Sequence, residues 1–150
     1  MQVCTEEPAS ALIDEVQGGL VAKTRLLLAD DNETVIAGLR RELGKEFEIV
    51  GAVHDGQKAV DGVRCLDPDV LVLDISMPVL DGLQAASRLR DAHCRTKIIF
   101  LTIHEEPEYI SAAFSAGASG YVTKRHLTDL MSAIGEVLQG HTFISPSLQR

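Results

Sequence analysis

The feature that most constrains the fold is a regular alternation of short apolar runs with longer amphipathic stretches. The runs are rich in Val, Ile and Leu, as in "DVLVLD" at residues 69–74. Runs of this kind predict β-strands, whereas the stretches between them carry apolar residues at helical spacing. Because a helix between two strands returns the chain to the same edge of a sheet, the alternation predicts an α/β fold with a parallel sheet.

We predict five strands and five helices along the chain. The strands are placed at 25–30, 48–53, 69–74, 97–102 and 120–123, and the helices near 33–43, 56–66, 82–91, 106–116 and 128–139. The inner runs are almost continuously apolar, as expected of strands that helices cover on both faces. In the last helix, apolar residues recur at steps of three and four and so define one buried face.

The length of the chain indicates a single domain. Its 150 residues are 45% hydrophobic, which is enough for one core and too little for two ordinary domains. Residues 1–24 are polar and rich in small residues, and they predict a loosely ordered leader before a domain at 25–140. Residues 141–150 are interpreted as an exit segment, where a linker to a further domain outside this chain could begin.

The charge and hydropathy patterns exclude several classes of protein. The net charge of −8 argues against a DNA-binding surface on this chain, because such surfaces are basic and gain affinity by neutralising phosphates. No apolar run approaches the roughly 20 residues that span a bilayer. The first basic residue is Lys23, too late for the basic region of a secretory signal. A soluble, cytoplasmic protein is the expectation.

Polar side chains stand where the predicted strands end. Asp30 and Asp31 follow the first strand and Asp74 ends the third, while Thr102 ends the fourth and Lys124 follows the fifth. In open parallel α/β sheets, ligands bind outside the carboxyl ends of the strands, beside a switch in strand order. All five side chains are therefore expected to converge on one site.

The residue types at this expected site point to phosphoryl chemistry. Three carboxylates held close together repel one another unless a cation is present, and Mg²⁺ takes carboxylate ligands together with a phosphate oxygen. Lys124 and Thr102 would then serve as donors to a phosphoryl group. We interpret Asp74 as the nucleophile, because aspartate is a covalent acceptor in aspartyl-phosphate chemistry and Pro78 turns the chain away beyond it.

Four segments together resemble the receiver domain of two-component response regulators. They read "LLLADDNE", "VLVLDISMPVLDG", "KIIFLTIHEEPEYI" and "AGASGYVTK", and the resemblance extends over about residues 24–145. It implies a flavodoxin-like receiver fold, in which a doubly wound five-stranded parallel sheet in the order 2-1-3-4-5 carries five flanking helices. It also implies a phosphoacceptor switch that assists its own phosphorylation and dephosphorylation and is not an enzyme.

The resemblance implies a role for each residue of the expected site. Asp74 corresponds to the phosphoacceptor. The Mg²⁺ ligands of the family correspond to Asp31, Asp74 and the main-chain carbonyl of Ser76, with Asp30 acting through water.

Three more residues correspond to residues that respond to the phosphoryl group in this family. Thr102 matches the switch hydroxyl, Lys124 the lysine that pairs with the phosphoryl group, and Tyr121 the aromatic residue that changes rotamer in step. Ser76 and His104 occupy positions that tune the lifetime of the aspartyl phosphate in the family.

Within that family, the sequence is most similar to the LuxR-type (NarL/FixJ) class. The segments "LTIHEEPEYI", "SAGASGYVTKRHLTDLMSAI" and "VLQGHTFISP" carry this likeness. It implies a sensor histidine kinase as phosphodonor, a homodimer on phosphorylation, and control of transcription through a C-terminal helix-turn-helix domain outside this chain. An isolated receiver domain and a stand-alone receiver both remain open.

Two other functions fit part of the pattern. A Mg²⁺-dependent phosphohydrolase of the haloacid-dehalogenase type uses an aspartyl intermediate, but it needs a second aspartate where this chain has Ser76. A receiver-like scaffold that works without phosphorylation typically lacks the acidic pair or the acceptor, all of which are retained here. Taken alone, Asp30 and Asp31 could cap a helix, and Tyr121 could be a packing aromatic.

Overall fold

A six-stranded parallel sheet forms the centre of the molecule in the computed structural model, which describes residues 22–149. The strands are β1 (Arg25–Ala29), β2 (Glu48–Val53), β3 (Val70–Leu73), β4 (Lys97–Thr102), β5 (Gly120–Thr123) and β6 (Phe143–Ile144). The helices are α1 (Glu33–Leu43), α2 (Gly56–Leu66), α3 (Gly82–Asp91), α4 (Pro107–Ser115) and α5 (Asp129–Leu138), with short 3₁₀ helices at Lys124–His126 and Pro146–Leu148. The strand order is β2-β1-β3-β4-β5-β6.

Helices cover both faces of this sheet. Helices α1 and α5 pack on one face, against strand residues such as Leu26 and Leu28. Helices α2, α3 and α4 pack on the other face, against strand residues such as Leu27 and Leu71. Since successive strand residues point to opposite faces, a strand covered on both sides must be apolar at every position, which explains the continuous runs in the sequence.

The predicted fold class is confirmed. The fold is the doubly wound, flavodoxin-like receiver fold, the five helices are present, and the first five strands have the predicted order 2-1-3-4-5. Each predicted strand and helix agrees with the observed one to within one residue at either end.

The expected number of strands, five, is one too low. Phe143 and Ile144 pair in parallel with Gly120 and Tyr121, so residues interpreted as an exit segment add a sixth strand to the sheet. Ser145 continues this attachment, because its amide donates a hydrogen bond to the carbonyl of Tyr121 over 2.9 Å. A strand of two residues is too short to show alternation in the sequence, and only its partner β5 defines it.

Two remaining expectations concern the ends of the chain and membranes. The predicted leader at 1–24 lies outside the described residues except for its last three. Within residues 22–149, none of the helices combines the length and the apolar character needed to cross a membrane.

Candidate functional site

Two buried aspartates mark the carboxyl ends of adjacent central strands. Asp30 follows β1 and Asp74 follows β3, and the two residues are 3% and 6% exposed. The amide of Asp74 donates to the carbonyl of Ala29 over 3.0 Å, and the amide of Asp30 donates to that of Val53 over 3.1 Å. Sheet hydrogen bonds therefore continue one residue beyond the strands and fix both aspartates at the switch in strand order between β1 and β3.

A lysine from the end of β5 pairs with both carboxylates. The Nζ atom of Lys124 lies 2.8 Å from Oδ2 of Asp30 and 3.1 Å from Oδ2 of Asp74, and its side chain is only 17% exposed. Such charge-assisted contacts are screened little by salt when they are shielded from solvent. One ammonium group thus serves two buried carboxylates.

Asp31 supplies a third carboxylate, which is exposed. One carboxylate oxygen from each of Asp30, Asp31 and Asp74 lies within 4.8 Å of the others. The turn before α1 holds the acidic pair, because Oδ1 of Asp30 accepts a hydrogen bond from the amide of Asn32, whose side chain caps α1. A set of carboxylate oxygens with one member open to solvent fits a hard divalent cation that keeps several of its waters.

The charges at this site are unequal. Burial raises the pKa of Asp74, and the neighbouring Asp30 raises it further, whereas Lys124 and the amide of Ile75 oppose the rise. Burial disfavours the charged form of Lys124, but its contacts with Asp30 and Asp74 outweigh this effect and raise the pKa of the lysine. Lys124 therefore stays protonated, and the pocket still holds more negative charge than one lysine balances.

The predicted switch residues lie on the next two strands, β4 and β5. Thr102 ends β4 and is fully buried, and its hydroxyl accepts a hydrogen bond from the amide of His104 over 3.3 Å. Tyr121 of β5 is also fully buried, and its hydroxyl donates to the carbonyl of His104 over 2.9 Å. Burial raises the pKa of Tyr121 far above its ordinary value, so the phenol remains a donor. Both side chains thus contact one residue of the loop that follows β4.

The loops after β3 and β4 also contact each other. Ser76 lies two residues after Asp74 with an exposed side chain, and its Oγ atom is 2.9 Å from Nε2 of His104. The ring of His104 stacks on that of Tyr109, with 4.2 Å between the centroids. The loop that carries Ser76 is folded tightly, because the amide of Gly82 donates back to the carbonyl of Ile75 over 2.8 Å.

The structure brings most of the predicted site residues together. Asp30, Asp31, Asp74 and Lys124 form one cluster. Thr102 is not hydrogen-bonded to that cluster in the described part of the chain, since the contact of its hydroxyl is with the loop after β4. The side chain of Asp74 is only 8% exposed and pairs with Lys124.

Three residues that the sequence did not single out as site residues tie the loop after β4 to β5. Glu105 accepts a hydrogen bond from the hydroxyl of Thr123 over 2.6 Å, and it binds Nε and Nη2 of Arg125 over 2.7 and 3.0 Å. The sequence signals are only positional, since Glu105 follows Thr102 by three residues and Arg125 follows Lys124 directly. Their contact depends on side-chain directions in the loop after β4 and in the 3₁₀ helix after β5, which a single sequence does not display.

Comparison with known proteins gives consistent matches to this fold and site. A family model described as "Response regulator receiver domain" matches residues 26–135. The transcriptional regulatory protein DegU of Brevibacillus brevis is 34% identical over 129 residues, which cover 84% of this chain and 55% of DegU. The chemotaxis protein CheY of Halobacterium salinarum is 37% identical over 115 residues, which cover 76% of this chain and 96% of CheY. The chain thus spans little more than half the length of DegU.

A solved structure gives the same result. The two-component response regulator of the LuxR family from Aurantimonas sp. SI85-9A1 is 32% identical, with a TM-score of 0.80. The match covers 85% of this chain and 93% of that chain.

Proposed function

The chain belongs to the family of response regulator receiver domains, in the LuxR-type class. From this premise we propose that Asp74 accepts a phosphoryl group from a sensor histidine kinase in a Mg²⁺-dependent reaction. Asp74, Lys124 and Thr102 carry the reaction in this proposal. Asp31, Asp74 and the main-chain carbonyl of Ser76 would hold the Mg²⁺, and Asp30 would act through water.

The observation that carries the proposal is the single ammonium group shared by two buried carboxylates beside a third, exposed one. A purely structural ion pair would match one lysine with one carboxylate, because an unbalanced buried charge is costly. The surplus of negative charge suits a pocket that receives a divalent cation and a phosphoryl group together. Mg²⁺, when bound, would balance the charge of the carboxylates and of the phosphoryl oxygens.

In the proposed reaction, a carboxylate oxygen of ionised Asp74 attacks the phosphorus atom of the kinase phosphohistidine. The oxygen–phosphorus bond forms while the phosphorus–nitrogen bond breaks, and the nitrogen keeps the electron pair. Lys124 moves from the carboxylate of Asp74 to an oxygen of the phosphoryl group, and the hydroxyl of Thr102 donates to another. Attack by water on the phosphorus later breaks its bond to the carboxylate oxygen, which releases inorganic phosphate and restores Asp74. The domain is therefore a switch that resets and not an enzyme acting on a separate substrate.

The proposed output runs through His104. Thr102 and Tyr121 both bind this residue, so a turn of Thr102 toward the phosphoryl group removes one contact of the loop that also holds Tyr121. The affected face consists of α4, β5 and α5, and it changes its affinity for a partner or for a second copy of the chain. We propose a homodimer on phosphorylation, in the cytoplasm and away from membranes, with DNA contacted only through a C-terminal domain outside this chain.

The metal part of the proposal is tested by thermal unfolding while Mg²⁺ is titrated. The Tm of the wild type should rise and saturate, because the ion binds the folded state and stabilises it by mass action. Asp31→Asn should abolish the rise, whereas Asp91→Asn, which alters an exposed aspartate at the end of α3, should respond like the wild type. A wild-type Tm that does not change with Mg²⁺ would contradict the proposal and favour a scaffold that works without phosphorylation.

A further inference from the structure

The loop after β4, residues 103–106, is held against β5 by neighbouring contacts. Tyr121 binds the carbonyl of His104, and two residues farther along β5 the hydroxyl of Thr123 binds the carboxylate of Glu105. Side chains two residues apart on a strand point to the same face, which explains why they reach adjacent residues of the loop. Arg125 adds a two-point contact to the same carboxylate. We call Glu105, Thr123 and Arg125 the Glu105 clamp.

In the sequence, two residues of the Glu105 clamp flank the lysine that pairs with Asp30 and Asp74. Lys124 lies between Thr123 and Arg125, at the start of the 3₁₀ helix that follows β5. The hydroxyl of Thr123 also accepts a hydrogen bond from the amide of Arg125 over 3.2 Å, so it caps this helix while it binds Glu105. One short segment therefore presents Lys124 to the aspartates and holds the loop after β4.

The Glu105 clamp is ionic but open to solvent on one side. The side chain of Arg125 is 65% exposed, and that of Glu105 is 28% exposed. The hydrogen bonds from Arg125 and Thr123 lower the pKa of Glu105, so its carboxylate is ionised at neutral pH. Exposed ion pairs contribute little to overall stability. Such a contact is suited to bias a nearly balanced local equilibrium, and it does not decide whether the chain folds.

We propose that Glu105 is a positioning residue of the switch, which holds the loop at residues 103–106 against β5 and thereby keeps Tyr121 in its buried position. This role in switching rests on the proposed function of Asp74. The link to Tyr121 follows from adjacency, because the carbonyl that accepts the phenol hydrogen bond belongs to the residue before Glu105. If the loop left β5, the buried phenol would lose this acceptor, and an unpaired buried hydroxyl is unfavourable. Tyr121 would then turn toward solvent.

The composition of the chain allows a direct optical test of this position. The sequence contains two tyrosines and no tryptophan, so Tyr109→Phe leaves Tyr121 as the one source of tyrosine fluorescence. Phenylalanine at that position keeps a ring against His104. In this background, quenching of Tyr121 by acrylamide reports how often the phenol is open to solvent.

Arg125→Met and Glu105→Gln should each raise the quenching constant of Tyr121. The pair is exposed and therefore weak, so the equilibrium between the buried and the open position of Tyr121 should shift by about 1.4- to 5-fold. Arg125→Lys keeps the charge but loses the two-point contact, and it should give an intermediate value. The double variant should not exceed the larger single effect, since both changes break the same contact. Arg95→Met is the matched control, because it breaks an exposed pair with Asp67 and should leave the quenching constant unchanged.

The proposal is overturned if Arg125→Met and Glu105→Gln are folded, as judged by an unchanged Tm, and quench like the parent. Arg125 is exposed, so its replacement alone decides the question if Glu105→Gln does not fold. An equal rise in the Arg95→Met control would also overturn it, since the effect would then follow from net charge. The quenching measurement needs no phosphodonor. It is therefore independent of whether Asp74 takes up a phosphoryl group. Phosphoryl uptake is measured separately, from the intact mass after incubation with Mg²⁺ and phosphoramidate.

Discussion

At the scale of single residues, the site is organised around a carboxylate whose charge is unfavourable in the folded protein. Asp74 is buried beside Asp30, and its pKa stays raised although Lys124 contacts it. A residue chosen for stability alone would be neutral at this position. The unfavourable charge is consistent with a group that becomes favourable when a cation and a phosphoryl group arrive.

Replacing Asp74 by Asn should therefore stabilise the protein at pH 7 in the absence of Mg²⁺. The amide occupies the same volume without a buried charge, and a gain of about 1 kcal/mol would raise Tm by a few degrees. Asp91→Asn removes an exposed carboxylate and should leave Tm unchanged. A lower Tm for Asp74→Asn would mean that the ion pair with Lys124 outweighs the effect of burial.

The pH dependence of this gain follows from the direction of the pKa shift. Because the folded-state pKa of Asp74 is raised, protonation of its carboxyl group favours the folded protein. This contribution to stability is fully present below the unfolded pKa of 3.8 and is lost as the pH rises through the folded-state pKa. The difference in Tm between Asp74→Asn and the wild type should thus vanish near pH 3.8 and grow toward neutral pH. A difference that stays constant over this interval would show that ionisation of Asp74 is not its cause.

The sequence was informative about residues whose position alone determines their role. Asp30, Asp74 and Lys124 follow predicted strands, and parallel strands carry their ends to one edge of the sheet, so their meeting was predictable. The contact of Glu105 with Arg125 was not predictable, because it depends on side-chain directions in a loop and in the 3₁₀ helix after β5. The degree of burial of Asp74 was not predictable either, since it arises from tertiary packing.

At the scale of elements, the start of α3 determines where Asp74 lies. A Cβ atom at Gly82 would lie 2.0 Å from the carbonyl oxygen of Asp74, so only glycine permits this approach of helix and strand end. The helix start is further fixed by a capping box, in which Asp81 and Gln84 exchange side-chain and backbone hydrogen bonds. The end of β3 and the start of α3 are thus packed as one unit.

Gly82→Ala should disrupt this unit. The methyl group forces α3 away from the end of β3, and overpacking of this kind costs about 1–3 kcal/mol, which urea unfolding would detect. Phosphoryl uptake should fall as well, because the main chain of Asp74 moves. Gly135→Ala in α5 is the control, since nothing lies within 4 Å of the added Cβ and alanine favours a helix by about 0.5–1 kcal/mol. If the two variants unfold at the same urea concentration, the close approach at Gly82 is not a constraint.

The two kinds of element differed in how well they were predicted. Strands and helices with clear periodicity were located to within a residue, because burial of a continuous face requires a repeated pattern. The short strand β6 has no such pattern and exists through its pairing with β5. Its attachment places Ser145 in the interior, where its hydroxyl accepts a hydrogen bond from the amide of Thr123 over 3.2 Å.

At the scale of the whole molecule, the alternation of strands and helices determines both the layers and the location of the site. Helices α1 and α5 share one face and α2, α3 and α4 the other, so the switch in winding direction falls between β1 and β3. The net charge of −8 argues against a DNA-binding surface on this chain, because such surfaces are basic. The face next to Tyr121 is the surface through which the proposed switch would reach such a domain or a second copy.

The proposed switch depends on phosphoryl transfer to Asp74, and the intact mass of the protein reveals this transfer. The wild type and Asp74→Asn are incubated with Mg²⁺ and acetyl phosphate or phosphoramidate, with a parallel sample that contains a chelator. The role of Asp74 as phosphoacceptor predicts one phosphoryl adduct, on the wild type only and only with Mg²⁺. An adduct of equal yield on Asp74→Asn, or no adduct on a folded wild type with either donor, would contradict it.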